Sequence, residues 1–335
     1  MKAGAFWRGL LWPLSLLYGA GARARVWMYR KGWVKQNHLK ATVISIGNLS
    51  VGGTGKTPMV IWLAEKFLAE GKHVAILSRG YRGSQGTCDE VELMKFRLQN
   101  RVAFGVGKNR FAEGKRLETE QPVDIFLLDD GFQHLQLARD LDILLLDASQ
   151  PMRGEFLLPA GRLREPLSAM SRANVVVFTR TEVVPGAPEA IEKLTHFPVF
   201  AATTRLLGFR RHGGGIELAS AAEIGGGPFF AFCGIGNPKA FFRDLQTWGL
   251  AICGRAVFAD HHRYTEQDVL RIKQAGTSGG ARAFITTEKD AQNLAGLRFE
   301  EVPLFLSVIE IAVSPDADFL NVVDRLLAAK IGAAA

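Results

Sequence analysis

Eight consecutive residues, Ser50-Val51-Gly52-Gly53-Thr54-Gly55-Lys56-Thr57, have the types and spacing of a loop that grips nucleotide phosphates. Glycines let backbone N–H groups converge on phosphate oxygens, and a following helix N-terminus adds partial positive charge. In such a loop Lys56 would reach the β- and γ-phosphates of ATP, and the Thr57 hydroxyl would ligate Mg²⁺. The usual pattern is G-x-x-x-x-G-K-S/T, and Ser50 stands at its first glycine. A chance glycine-rich turn is the alternative, and the flanking residues argue against it. The apolar run Thr42–Gly47 reads as a buried strand. After Pro58, which suits a first helical turn, Val60, Ile61, Leu63, Ala64, Phe67 and Leu68 recur at helical spacing.

A phosphate loop of this kind needs an acidic partner for Mg²⁺ at the end of another strand. Ile125–Leu128 is apolar and runs into Asp129 and Asp130. Either aspartate suits a metal, directly or through water, and sequence does not separate them. The plainer reading of such a residue is a helix cap. Glu90 is a further candidate metal ligand. If the phosphoryl acceptor is a hydroxyl, a carboxylate or imidazole near it should take its proton. Asp89-Glu90 and Asp260-His261-His262 are the candidates. An Asp–His pair shares that task, the carboxylate orienting the imidazole and raising its basicity. Taken singly, acid pairs and vicinal histidines are commonplace.

The elements that must position these groups alternate along the chain. Apolar runs at His73–Ser78, Val102–Val106, Ile125–Leu128, Ile143–Leu146 and Val175–Phe178 are separated by helical stretches. Most are continuously apolar, the pattern of a parallel sheet covered on both faces. Arg79-Gly80-Tyr81-Arg82-Gly83 follows one such run, where open α/β sheets bind ligands. Composition shifts near Thr181–Pro188, and a second α/β pattern follows, with runs at Phe229–Cys233, Ala251–Phe258 and Ala283–Thr287. Gly234-Ile235-Gly236-Asn237-Pro238 lacks the third glycine of a dinucleotide fingerprint and reads as a strand–helix turn. The fold expected is α/β. A P-loop NTPase-like parallel-sheet domain over 41–182 is joined to a smaller α/β domain over 183–335 that closes an active-site cleft.

Charge separates residues 1–40 from both. Of 41 Lys and Arg, nine fall within residues 1–64, which hold no Asp or Glu, leaving 32 basic against 33 acidic residues elsewhere. The basic segment is also apolar: Phe6, Trp7, Leu10, Leu11, Trp12, Leu14, Leu16, Leu17 and Tyr18 precede Arg23, Arg25, Trp27, Tyr29, Arg30 and Lys31. That mixture suits an amphipathic helix on an anionic membrane surface better than a nucleic-acid binder. The uncharged run Gly9–Ala22 is fourteen residues, short of the roughly twenty that span a bilayer. Two alternatives are a signal peptide ending at Ala20-Gly21-Ala22 and a helix that covers the protein's own core. Three scattered cysteines suggest neither a disulfide framework nor a metal site and fit a reducing compartment.

Seven motifs occur in order: Ser50–Pro58 (S-V-G-G-T-G-K-T-P), Ser78–Tyr81 (S-R-G-Y), Asp129–His134 (D-D-G-F-Q-H), Leu137–Asp140 (L-A-R-D), Leu158–Pro166 (L-P-A-G-R-L-R-E-P), Asp260-His261-His262 and Thr287–Asp290 (T-E-K-D). With them the chain closely resembles the tetraacyldisaccharide 4′-kinase family, the lipid A 4′-kinases, over nearly its whole length. The resemblance implies an ATP-dependent kinase that phosphorylates the 4′-hydroxyl of a tetraacylated glucosamine disaccharide 1-phosphate to give lipid IVA. It implies work at the cytoplasmic face of the Gram-negative inner membrane, on an anionic lipid, without nucleic acid or an obligate protein partner. By the same resemblance Ser50–Thr57 bind ATP, Asp129 and Asp130 belong to the Mg²⁺ site, and Asp89 forms a catalytic dyad with His261. Cys88 stands where the family has glycine. Arg79 and Lys289 suit either a phosphate contact or an ion pair that braces a loop. A membrane-associated P-loop ATPase of the ParA-like type is the rival. It would use water as acceptor and would need no sugar-binding domain.

Overall fold

The computed structural model describes residues 2–80, 89–150, 154–184, 186, 197–225, 227–294, 296–297, 299 and 302–334. Tyr81, Arg82, Gly83 and Cys88, and part of the 181–188 segment, lie outside them. The chain forms two compact units: Met1–Arg82 with Leu98–Thr204 and Ile311–Ala335, and Gly83–Arg97 with Arg205–Glu310. This differs from a division at 182/183. The segment 83–97 belongs to the second unit, and the C-terminal segment belongs to the first.

The first unit is built on strands β1 (Thr42–Asn48), β2 (Val74–Ser78), β3 (Ala103–Val106), β4 (Ile125–Asp129), β5 (Leu141–Asp147) and β6 (Val175–Thr179). With the first part of β7 (Val199–Arg211), their order is β3-β2-β4-β1-β5-β6-β7. Pairing is parallel throughout, with Ile46 opposite both Asp129 and Ile143. β2, β4, β5 and β6 are buried along their whole length, as their mainly apolar sequences require, with Asp129, Asp142 and Asp147 the buried acidic residues among them.

Helices cover this sheet by matching apolar stripes to it. α1 (Lys2–Arg30) leads the chain, and α2 (Lys56–Ala69) follows β1 and buries Met59, Val60, Ile61, Leu63, Ala64 and Phe67. α3 (Asp89–Leu98) falls almost wholly in the second unit, and α4 (Arg110–Glu120) starts at Asn109, whose side chain accepts from the Ala112 amide.

The second unit carries β8 (Phe229–Cys233), β9 (Ile252–Val257), β10 (Ala283–Thr287) and the first part of β11 (Leu304–Ser314), in the order β11-β10-β8-β9. These pairs are also parallel. α5 (Pro238–Thr247) is capped by Asn237, so the Gly234–Pro238 segment is the strand–helix turn its residues suggest. α6 (Glu266–Ser278) opens with a capping box between Thr265 and Asp268, and the short α7 (Glu288–Gln292) follows β10. The chain ends in α8 (Asp316–Ala334). Its Phe319 is fully buried edge-on to Trp62 and Phe200 in the first unit, which explains why the C-terminus returns there.

α1 is inverted relative to an ordinary surface helix. From residue 10 on, where side chains are described, Ser15 and Gly19, one turn apart, are its buried positions, while Leu10, Trp12, Leu14, Leu16 and Leu17 are each at least half exposed. The Ser15 hydroxyl donates to the Leu157 carbonyl at 2.9 Å and accepts from the Ala160 amide at 3.0 Å. A Cβ on Gly19 would meet the end of the Leu157 side chain at 2.5 Å, so a side chain there would displace that leucine. The helix docks through small and polar groups and leaves most of its leucines outward, which argues against its being a lid on the protein's own core. No helix among the described residues is long and apolar enough to cross a membrane.

Candidate active site

The phosphate loop sits between β1 and α2, as its sequence context requires. Gly55 caps α2 with φ +86°, a left-handed conformation suited to glycine. The loop is braced from three sides. Asn48 Nδ2 donates to Thr54 Oγ1 at 2.9 Å, and Thr179 Oγ1, at the end of β6, donates to the Thr54 carbonyl at 3.0 Å. The L-P-A-G-R-L-R-E-P segment supplies the third: Val51 N donates to the Arg162 carbonyl at 2.8 Å, and Ser50 bridges Leu163. Arg162 also pairs with Glu155 and hydrogen-bonds Gln150, so its side chain serves the loop's scaffold. Thr54 is buried, whereas Ser50, Val51, Gly52, Lys56 and Thr57 are half-buried and Gly53 is exposed.

The two aspartates at the end of β4 have different surroundings. Asp129 is buried, accepts from the Ser78 hydroxyl at 3.2 Å, and its carbonyl accepts from Arg110 at 3.1 Å. Asp130 follows with φ +48°. Its carboxylate takes both oxygens to Arg164 Nη1, at 2.9 and 2.7 Å, and lies 3.5 Å from Lys56 Nζ. Burial would raise its pKa, but Lys56, Arg164 and Arg110 outweigh that and hold it below the ordinary carboxylate range. Arg164 was not singled out by sequence. Its signal was its place in the L-R-E-P motif.

His134, from the D-D-G-F-Q-H motif, is held neutral. Burial first, then the charges of Arg110, Arg139, Arg25 and Arg79, lower its pKa to about 4. Arg79 thus belongs to a cationic group around His134.

The second unit gathers the acid–base residues. α3 begins at Asp89, whose side chain is 5% exposed, and His261 comes from the turn after β9 with φ +58°. His261 Nδ1 lies 2.9 and 3.1 Å from the two Asp89 oxygens. Asp89 also accepts from the Glu90 amide at 2.9 Å and from Asn293 Nδ2 at 3.2 Å. Asn293 had no sequence signal, because an amide in a short helix end has many uses. The hydrogen bond to Asp89 is the main reason the His261 pKa lies above 6.5; burial and Lys289 oppose it, and Asp260 assists.

Glu90 follows Asp89 in the first turn of α3. It accepts from Lys289 Nζ at 3.2 Å. Lys289 also donates to Asp260 at 3.4 Å and faces His261 Nε2 at 3.3 Å. His262 stays structural, stacked on Phe258 and bonded to Asp268. Among the described residues no three His, Cys, Asp or Glu side chains form a metal-binding group. A cation at the phosphate loop would therefore draw on the Thr57 hydroxyl, the β4 carboxylates and the oxygens of its nucleotide.

Comparison with known proteins gives this geometry a context. The sequence profile described as tetraacyldisaccharide-1-P 4′-kinase, LpxK, matches residues 7–328. The tetraacyldisaccharide 4′-kinase of Geobacter metallireducens is 36% identical over 95% of this chain and 98% of its own length. That of Desulfotalea psychrophila is 33% identical over 92% of this chain and 94% of its own. The crystal structure of LpxK from Aquifex aeolicus in complex with ATP superposes with a TM-score of 0.75 at 31% identity, covering 96% of this chain and 99% of that one. On the extent of these matches, with phosphate loop and Asp–His pair both in place, the chain belongs to the tetraacyldisaccharide-1-P 4′-kinase family.

Proposed function

We propose that this chain transfers the γ-phosphoryl group of ATP to the 4′-hydroxyl of a tetraacylated glucosamine disaccharide 1-phosphate, giving lipid IVA in lipid A biosynthesis. The observation that carries the reading is the Asp89–His261 pair in a chain that also holds a phosphate loop. A phosphate loop alone suits hydrolysis or switching. An imidazole oriented by a carboxylate supplies the base that a sugar hydroxyl needs. Family membership over 7–328 supports the same acceptor.

In this mechanism the backbone amides of Ser50–Gly55, other than that of Val51, which donates to the Arg162 carbonyl, and the ammonium of Lys56 hold the β- and γ-phosphates. Nδ1–H of His261 donates to Asp89, leaving Nε2 to accept the hydroxyl proton, and Asp89 then stabilises the imidazolium. The work is mainly positioning and charge neutralisation. Thr57, Asp129 and Asp130 are hard oxygen donors, a set that fits Mg²⁺. Bound there, Mg²⁺ would neutralise charge on the β- and γ-phosphate oxygens. The outward leucines and tryptophan of α1, with the basic N-terminal segment, support docking on an anionic membrane, at the cytoplasmic face where ATP is present.

The test is transfer of labelled phosphate from ATP to the lipid disaccharide in detergent micelles. Lipid-dependent incorporation is expected. Hydrolysis of ATP with no label in the lipid would make the protein an ATPase instead.

A further inference from the structure

His261 sits among three carboxylates and one ammonium. Asp89 meets Nδ1, while Asp260 Oδ2 lies 3.8 Å from Nε2. Glu90 approaches through Lys289, whose Nζ is 3.2 Å from Glu90, 3.4 Å from Asp260 and 3.3 Å from His261 Nε2. These carboxylates and Lys289 are the charged groups that face the imidazole from α3, from its own turn and from α7. Without Lys289 the site would hold three negative charges around one imidazole. That environment favours imidazolium, which has no lone pair and cannot take a proton from a hydroxyl.

We propose that Lys289 is a positioning residue for the reaction, an ammonium that keeps the Nε2 edge of His261 a proton acceptor. An ammonium has three donors and no acceptor, so beside Nε2 it disfavours a proton there, and the acceptor hydroxyl takes its place at the lone pair while Lys289 stays on Glu90 and Asp260. Together Lys289 and Asp89 impose one state: proton on Nδ1 toward Asp89, lone pair on Nε2. Lys289 is fixed for the role. Its side chain is 20% exposed, and its two carboxylate partners come from different elements, α3 and the turn after β9. Burial alone would favour loss of its proton. Glu90, Asp260 and Asp89 outweigh burial and keep it charged. Its neighbour Glu288 is clamped by Arg97 at 2.9 Å and Arg210 at 3.3 Å, which ties α7 to α3 and fixes the distance between Lys289 and the dyad. In the T-E-K-D motif the lysine thus faces the base, and of its two readings from sequence the proposal takes up the ion pair.

The inference rests on the assignment of Asp89 and His261 to the reaction, and the experiment separates the two. Full-length wild type, Lys289→Met and Lys289→Arg are labelled with ¹⁵N-histidine, and the His261 signal is assigned with His261→Gln. Titration of that signal needs no activity. In Lys289→Met its midpoint should rise by about one pH unit, the shift typical of losing a like charge within a few ångströms. Lys289→Arg should keep the wild-type midpoint, because it restores the charge. In parallel, kcat of Lys289→Met at neutral pH should fall about tenfold and recover at higher pH, with the KM for ATP unchanged. An unmoved midpoint in Lys289→Met, or an arginine variant that titrates like the methionine variant, overturns the proposal. Absence of lipid phosphorylation by wild type would overturn the kinase reading and leave the titration to decide on Lys289.

Discussion

His261 Nδ1 lies 2.9 Å from Asp89 Oδ2, a contact made across 172 positions of sequence between the start of α3 and the turn after β9. Two unrelated segments thus build one acid–base unit. Asp89→Asn and His261→Ala should each lower kcat by about 10²- to 10⁴-fold, the range for removal of a positioned base, while the KM for ATP stays within a few-fold. Steady-state kinetics with the lipid acceptor measures both. Normal turnover in both variants would remove the pair from the mechanism.

The same contact sets a pH dependence. His261 is held above 6.5 by its bond to Asp89, and a base acts only when neutral. Activity should therefore rise with pH through a midpoint above 6.5 and then level off. Asp89→Asn removes the main cause of the shift, so the His261 midpoint in that variant should move down. An NMR titration that found it unchanged would mean that Asp89 does not govern the imidazole.

Arg164 is the residue sequence passed over. Its Nη1 donates to both oxygens of Asp130. Loss of hydrogen bonds to a charged group is worth roughly 1.5–3 kcal/mol, so Arg164→Met should lower kcat/KM for ATP by about ten- to a hundredfold. The unfolding midpoint should change little, because both side chains are partly exposed. A variant with wild-type kinetics would reduce Arg164 to a brace.

The outward residues of α1 make a separable prediction. Replacing Trp12, Leu16 and Leu17 together with serine should abolish co-sedimentation with anionic vesicles. ATP binding and thermal stability should be retained, since each side chain is at least half exposed. Undiminished sedimentation would transfer the membrane contact to another surface.

His134 predicts acid sensitivity. The unfolded chain protonates this imidazole below about 6.5, whereas the folded protein does so only below about 4. Stability should fall as pH falls across that window and level off beneath it. His134→Gln should flatten this part of the profile in denaturant titrations. Equal slopes for the two proteins would show that His134 ionises freely in the fold.

Much of the first unit was legible because its signals are local. An apolar strand, a glycine turn and a periodic helix are adjacent in β1, the loop and α2, and Asp129 ends an apolar run. What was not legible is non-local. Residues 83–97 and 311–335 each belong with a unit that their neighbours in sequence do not suggest, since packing need not follow chain order. β11 and α8 gave no separate signal. Arg164 with Asp130, and Asn293 with Asp89, are partnerships of side-chain geometry, which spacing does not encode. The inversion of α1 was half visible: composition gave the apolar helix, but Ser15 and Gly19 reveal which way it faces only through Leu157.

The 3.5 Å pair between Lys56 and Asp130 has a thermodynamic consequence. An arriving phosphate therefore does not meet a bare ammonium but must exchange for a carboxylate. Whatever draws Lys56 away leaves Asp130 one counter-charge fewer, with Arg164 as its remaining ion-pair partner, and readier for a cation. Whatever draws Asp130 away leaves Lys56 readier for an anion. Ligands of opposite sign therefore assist one another here, and by reciprocity each raises the affinity of the other by the same factor. A lone anion gains little from this loop, which is tuned to a ligand that brings both charges at once.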